Sequence, residues 1–113
     1  MRILLIDDCE DLRASFSETL KSLGHFVFEA ENGVRGLEML SLNNVDCVLS
    51  DIQMPMMDGV EFLKHAKSKF PNLPVFIMTG FSPYSKAEIL NFGASGYFDK
   101  VNINLESLFS KAS

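Results

Sequence analysis

The residues best suited to chemistry are three carboxylates, a hydroxyl and an ammonium group, each placed within two residues of the end of a short apolar run. They are Asp7, Asp8, Asp51, Thr79 and Lys100. Carboxylates that converge on one site repel one another and have raised pKa values unless a cation neutralises them. Sites with only oxygen ligands favour Mg²⁺, with Mn²⁺ as an alternative, and such ions bind phosphate oxygens as well. A metal ion beside a lysine and a hydroxyl therefore indicates phosphoryl transfer to a carboxylate.

Each of these residues also has an ordinary structural explanation. Asp8 could cap the first helix, with Asp11 three residues further on. Asp51 could form an Asx turn, Thr79 could be a strand-end hydroxyl and Lys100 a solvated charge. What favours a shared site is the coincidence of all of them at the ends of four predicted strands.

The elements that must position these residues are five apolar runs alternating with five segments of helical periodicity. The predicted strands are residues 2–7, 26–30, 46–50, 74–78 and 96–98, and the predicted helices are residues 10–23, 33–42, 59–70, 83–93 and 104–112. Strict alternation predicts an α/β fold with a parallel sheet and helices on both faces. Ligands of such folds bind beyond the carboxyl ends of the strands, where these polar residues lie.

Length and composition narrow the class of protein. The chain has 113 residues, enough for one compact domain, and 47% of them are hydrophobic. A net charge of −5 with scattered basic residues argues against direct binding of nucleic acid. No apolar run reaches membrane-spanning length, and the amino terminus lacks a secretory pattern. Two unrelated cysteines, Cys9 and Cys47, are expected to be reduced thiols in a cytoplasmic protein, with Cys47 in the core.

The motifs resemble the receiver domain of bacterial response regulators, and the resemblance extends over essentially the whole chain. The matching segments are Ile6-Asp7-Asp8, residues 51–59 (DIQMPMMDG), Met78-Thr79-Gly80, Gly93-Ala94 and residues 96–100 (GYFDK). This likeness implies a flavodoxin-like doubly wound (βα)₅ fold with a five-stranded parallel sheet of order 2-1-3-4-5. We expect a single receiver domain over residues 1–113, no output domain in this chain, and a monomer.

The resemblance also implies a signalling switch rather than an enzyme. Asp51 would accept a phosphoryl group from a phosphohistidine on a sensor histidine kinase or histidine phosphotransfer protein. Asp7 and Asp8 would bind Mg²⁺ together with Asp51 and the backbone carbonyl of Gln53. The output partner of such a switch is not indicated by the sequence.

Further residues would act on the phosphoryl group or respond to it. Thr79 and Lys100 would contact its oxygens, and Gly80 would leave room for it, although Gly80 is equally well explained as an ordinary loop residue. Tyr97 is at the position of the family's switch aromatic. Its inward rotation would change the surface formed by the fourth helix, the fifth strand and the fifth helix.

Two features depart from the family pattern or modify it. Val101 follows the lysine where the family usually has a proline joined through a cis peptide, so we expect a trans or rearranged loop and an altered reach of Lys100. The second feature is the pair of positions two residues after Asp51 and Thr79, occupied by Gln53 and Phe81. These flanks control access of water in the family, and bulky Phe81 is expected to slow hydrolysis of the acyl phosphate.

Three other classes of protein compete with this interpretation. A haloacid-dehalogenase-type phosphatase needs a second aspartate two residues after the nucleophile, where this chain has Gln53. A flavodoxin-like cofactor binder needs a phosphate-binding loop after the first strand, where this chain has Asp7-Asp8-Cys9-Glu10. A pseudo-receiver that acts as a phosphorylation-independent interaction module remains the main alternative, favoured only by Val101.

Overall fold

The computed structural model describes residues 1–80, 82–101 and 103–112, with side chains up to Leu108. The strands are β1 (Arg2–Ile6), β2 (Phe26–Ala30), β3 (Cys47–Asp51), β4 (Val75–Thr79) and β5 (Gly96–Asp99). The helices are α1 (Glu10–Ser22), α2 (Gly33–Leu42), α3 (Gly59–Lys69), α4 (Lys86–Asn91) and α5 (Leu105–Ala112). Within these ranges no helix has the length and apolar character needed to cross a membrane.

The five strands form one parallel sheet in the order β2-β1-β3-β4-β5, as the resemblance implied. The three central strands are buried along almost their whole length because helices cover both faces. Leu4 and Ile6 of β1 point into a core shared with α2, α3 and α4. The alternate residues Ile3 and Leu5 point into a second core with α1 and α5. The sheet is therefore a rigid base for the loops at its carboxyl edge.

Most strand boundaries lie within one residue of the predicted ones, and the shifts matter for the site. Strands β3 and β4 end one residue later than predicted and so include Asp51 and Thr79. Asp51 pairs in register with Met78, and Thr79 pairs with Asp99. These side chains are held by the sheet ladder rather than by mobile turns.

The largest boundary error concerns the fourth helix, which was predicted to begin near Pro83 and begins at Lys86. Ser85 and Glu88 form a capping box, in which each side chain accepts a hydrogen bond from the other's backbone N–H at 3.1 Å. This reciprocal pair satisfies N–H groups at the start of the helix and fixes its first residue. Glycines with a left-handed backbone follow α1 and α4, with φ of +94° at Gly24 and +111° at Gly93.

The two cysteines are free thiols in different environments. Cys47 is fully buried, and burial, reinforced by the neighbouring charge of Asp46, raises the pKa of its thiol to about 12. Cys9 is exposed at the start of α1, where it is the N-cap residue. The prediction that Cys47 lies in the core is confirmed.

The loop between β3 and α3 folds back onto the end of β3. The Gly59 N–H donates a hydrogen bond to the Ile52 carbonyl at 2.7 Å. A Cβ atom at Gly59 would lie 2.5 Å from the Asp51 carbonyl oxygen and 2.6 Å from the Ile52 Cα atom. Met56, at the tip of the loop, has a φ of 69°, which is uncommon for a residue with a side chain. Glycine at position 59 is therefore required by the close approach of two backbone segments.

We expect Gly59→Ala to lower the free energy of unfolding by about 1–3 kcal/mol, because the added methyl group forces the loop away from β3. Gly80→Ala is the matched control, since a Cβ atom there meets nothing within 4 Å. Urea denaturation followed by circular dichroism measures both. Equal stability of the two variants would contradict the steric explanation.

Candidate functional site

Three carboxylates meet at the carboxyl edge of the sheet. Asp7 follows β1 directly, Asp8 is next to it, and Asp51 is the last residue of β3. One carboxylate oxygen from each lies within 4.8 Å of the other two. Asp7 and Asp51 are buried, whereas Asp8 is exposed. Asp8 does not cap α1, because the N-cap residue is Cys9 and makes no side-chain cap hydrogen bond.

Lys100 connects the two buried carboxylates. Its Nζ atom lies 2.9 Å from Asp7 Oδ2 and donates a hydrogen bond to Asp51 Oδ2 at 3.1 Å. Its backbone N–H donates to the Thr79 carbonyl at 3.0 Å, which ties the start of the following loop to β4. The described residues contain no cis peptide, so the Lys100–Val101 bond is trans as expected. Lys100 therefore reaches both carboxylates without the proline found in the family.

The environment of Asp7 provides a test of whether the site suits a metal ion. Its Oδ1 atom accepts a hydrogen bond from the Cys9 N–H at 2.9 Å. Its Oδ2 atom is buried and, within the described part of the chain, accepts no hydrogen bond, so that only the ion pair with Lys100 balances it. A buried carboxylate oxygen in this position is well suited to ligate a cation. The three oxygen donors fit the preference of Mg²⁺.

Burial and charge shift the ionisation of the two central groups. Burial raises the pKa of Asp51, and the charge of Asp7 adds to the rise, although Lys100 and the Gln53 N–H oppose it. Burial alone lowers the pKa of Lys100, but the close contacts of its ammonium group with the Asp7 and Asp51 carboxylates outweigh that effect and raise it. Lys100 is thus a persistent cation at neutral pH beside carboxylates that carry excess negative charge.

The other residues identified from the sequence surround this centre at different distances. Thr79 ends β4 and is half-buried, and exposed Gly80 follows it. Gln53 is exposed, and its N–H points to Asp51 Oδ1 at 3.4 Å. Tyr97 does not join the cluster, because it packs on β5 against the core that contains α4. Phe81 lies outside the described residues, so its effect on hydrolysis stays a prediction.

Arg13 is a residue that the sequence analysis missed. From the first turns of α1 its Nη1 atom donates a hydrogen bond to the backbone carbonyl of Asp7 at 2.7 Å. The only indication in the sequence was that Arg13 lies about one helical turn into α1, close to Asp7 and Asp8. That signal is weak, since a single arginine on a helix is usually a surface charge.

With this geometry, comparison with known proteins identifies the family. The family model of the response regulator receiver domain matches residues 3–112. The chain therefore belongs to that family. Receiver domains are signalling switches of two-component and phosphorelay systems, bind Mg²⁺ at an acidic pocket and interact with histidine kinases or phosphotransfer proteins. The resemblance inferred from the motifs is confirmed.

Relatives and solved structures agree on this assignment. The sporulation initiation phosphotransferase F of Bacillus subtilis is 34% identical over 88% of this chain and 81% of its own length. A gliding motility regulatory protein of Myxococcus xanthus is 35% identical over 96% of this chain, which spans only 14% of that relative. The response regulator TrrA of Thermotoga maritima, solved with Mg²⁺ and BeF, superposes with a TM-score of 0.86 at 30% identity, covering 97% of this chain and 94% of that one.

We expect Asp51→Asn to raise the stability of the metal-free protein at neutral pH, because it removes a buried charge whose pKa is raised. Because the pKa of Asp51 is higher in the folded state, protonation of this carboxyl group stabilises the fold at a pH below its unfolded-state pKa of about 3.9. That stabilisation is lost as the pH rises through the folded-state pKa. The stability difference should therefore shrink on acidification. Thermal unfolding between acidic and neutral pH in the presence of EDTA measures it. A variant less stable than wild type at neutral pH would contradict this ionisation argument.

Proposed function

We propose that this receiver domain is a phosphorylatable switch in which Asp51 accepts a phosphoryl group. The observation that carries the proposal is the position of Asp51, with one oxygen bound to Lys100 and the carboxylates of Asp7 and Asp8 alongside. In the described part of the chain no other cluster brings three possible ligand side chains together. The arrangement provides a nucleophile, a fixed cation and a metal site at the same edge of the sheet.

The proposed reaction is an in-line displacement by the Asp51 carboxylate. An oxygen of Asp51 forms a bond to phosphorus while the bond between phosphorus and the donor's imidazole nitrogen breaks, and the imidazole leaves with the bonding electron pair. Lys100 would offset charge on the phosphoryl oxygens. Because its ammonium group is already in place, no reorganisation would be needed during the reaction. Bound Mg²⁺, held by Asp7, Asp8, Asp51 and the Gln53 carbonyl, would supply further charge neutralisation.

The proposed response uses Thr79 and Tyr97, which lie on the adjacent strands β4 and β5. Tyr97 pairs with Ile77, two residues before Thr79 along β4. Thr79 would hydrogen-bond a phosphoryl oxygen, with the neighbouring position at Gly80 open, and Tyr97 would rotate inward. Tyr97 also lines a cavity of about 430 Å³ between β5 and α5. A change in its rotamer would therefore alter the α4-β5-α5 surface, to which we assign the output partner. The donor would be a sensor histidine kinase or a histidine phosphotransfer protein.

The alternative is a phosphorylation-independent interaction module. Val101 was its only support in the sequence, because loss of the usual proline put the reach of Lys100 in question. The ion pairs of Lys100 with Asp7 and Asp51 remove that objection. The phosphorylatable function is therefore the better supported of the two.

The direct test is incubation of the protein with acetyl phosphate and Mg²⁺, followed by intact-mass spectrometry. We expect one phosphoryl adduct in the wild type and none in Asp51→Asn or when EDTA is added, because both the nucleophile and the cation are needed. Asp58→Asn is the matched control, since Asp58 caps α3 outside the cluster and asparagine caps helices equally well.

An adduct that persists in Asp51→Asn would place the chemistry on another residue. Absence of any adduct in the wild type, together with undetectable Mg²⁺ binding, would favour the phosphorylation-independent module. Loss of the adduct in Asp58→Asn as well would show that general damage to the loop after β3, rather than loss of the nucleophile, explains the result.

A further inference from the structure

The backbone carbonyl of Asp7 is held from the side of α1 by a polar network. Arg13 Nη1 donates to that carbonyl at 2.7 Å, and Arg13 Nε lies 3.3 Å from Glu29 Oε1 on β2. The other oxygen of Glu29 accepts a hydrogen bond from the hydroxyl of Ser17 at 3.2 Å. Ser17 is buried, and the Arg13 side chain retains only 16% of its exposure. The guanidinium is thus fixed between the two strands and the helix.

This network completes the restraint of Asp7. Its N–H donates to the Ala30 carbonyl at 3.1 Å, its Oδ1 atom accepts from the Cys9 N–H, and its carbonyl accepts from Arg13. With these groups fixed, Oδ2 is left facing Lys100 and the other carboxylates. Of these restraints, the one from Arg13 is the only one made by a charged side chain, and it comes from outside the acidic cluster.

We propose that Arg13 is a positioning residue for the cation site, an inference that rests on the proposed Mg²⁺-dependent function. By holding the carbonyl of Asp7 it fixes the turn between β1 and α1, and with it the carboxylates of Asp7 and Asp8. Groups that orient metal ligands without touching the metal commonly contribute tenfold or more to affinity. The planar guanidinium group of Arg13 directs separate N–H donors at two acceptors, the Asp7 carbonyl and the Glu29 carboxylate. The single ammonium group of a lysine cannot reproduce this geometry.

Charge and positioning have opposite effects at this residue, which makes the inference testable. A positive side chain near a cation site opposes Mg²⁺ binding by Coulomb repulsion. If Arg13 acted only as a charge, its removal would tighten Mg²⁺ binding. If it acts as a positioning residue, its removal weakens binding even though a repulsive charge has been lost.

The experiment is calorimetric titration of Mg²⁺ into the metal-free protein without phosphodonor. We expect Arg13→Gln to weaken binding about threefold to tenfold. This is less than the loss typical of orienting groups, because removal of the repulsive charge partly offsets the loss of positioning. The matched control is Arg35→Gln, which removes the same charge from an exposed ion pair with Glu38 on α2 and should leave the affinity unchanged or slightly tighter. Amide hydrogen exchange in the metal-free protein gives an independent readout, with faster exchange expected at Cys9 in Arg13→Gln.

Arg13→Lys keeps the net charge and serves if the glutamine variant does not fold. We expect it to bind Mg²⁺ about twofold to fourfold more weakly than wild type, because one ammonium cannot hold both acceptors in the same geometry. The positioning role would be overturned if Arg13→Gln bound Mg²⁺ as tightly as Arg35→Gln or more tightly. Wild-type affinity in Arg13→Lys would overturn it as well. Either result would leave the proposed function intact. Absence of Mg²⁺ binding in the wild type would overturn the proposed function together with this inference.

Discussion

The interaction on which the site depends is the pairing of one ammonium group with two buried carboxylates. Lys100 lies within 3.1 Å of an oxygen of both Asp7 and Asp51. Burying charges is costly, and one cation cannot balance two carboxylates and the adjacent Asp8. The residual negative charge is the physical reason why this edge of the sheet suits a metal ion.

The fold makes this arrangement possible by fixing the carboxylates on rigid elements. The apolar residues of β1, β3 and β4 are packed between two helical layers. This packing fixes the relative positions of the strand ends. Asp51 is part of the ladder with β4, and Gly59 lets the following loop return across β3. Arg13 holds the turn after β1 from the opposite side. Stability of the sheet and geometry of the site are therefore two consequences of the same packing.

Sequence reasoning predicted the fold and the composition of the cluster because both follow from strong patterns. Alternating apolar runs define parallel strands, and polar residues after such runs must share an edge, which is why Asp7, Asp51 and Lys100 were found. The start of α4 was predicted too early because the capping box at Ser85 was not recognised in the sequence. The contact between Arg13 and the Asp7 carbonyl had no strong pattern, since it depends on a side-chain fork reaching a backbone atom across two elements. Long-range contacts of this kind require the three-dimensional structure.

Carboxyl-carbon NMR of protein labelled at aspartate shows whether the carboxylates of Asp7, Asp8 and Asp51 form one cation site. If they do, the Asp7, Asp8 and Asp51 resonances shift together during a Mg²⁺ titration and follow a single saturation curve. Asp46, which accepts a hydrogen bond from the Arg2 N–H at the opposite edge of the sheet, and Asp58 serve as internal references and should not shift with that curve. Uniform small shifts of all aspartates, or separate curves for Asp7 and Asp51, would contradict a shared cation site.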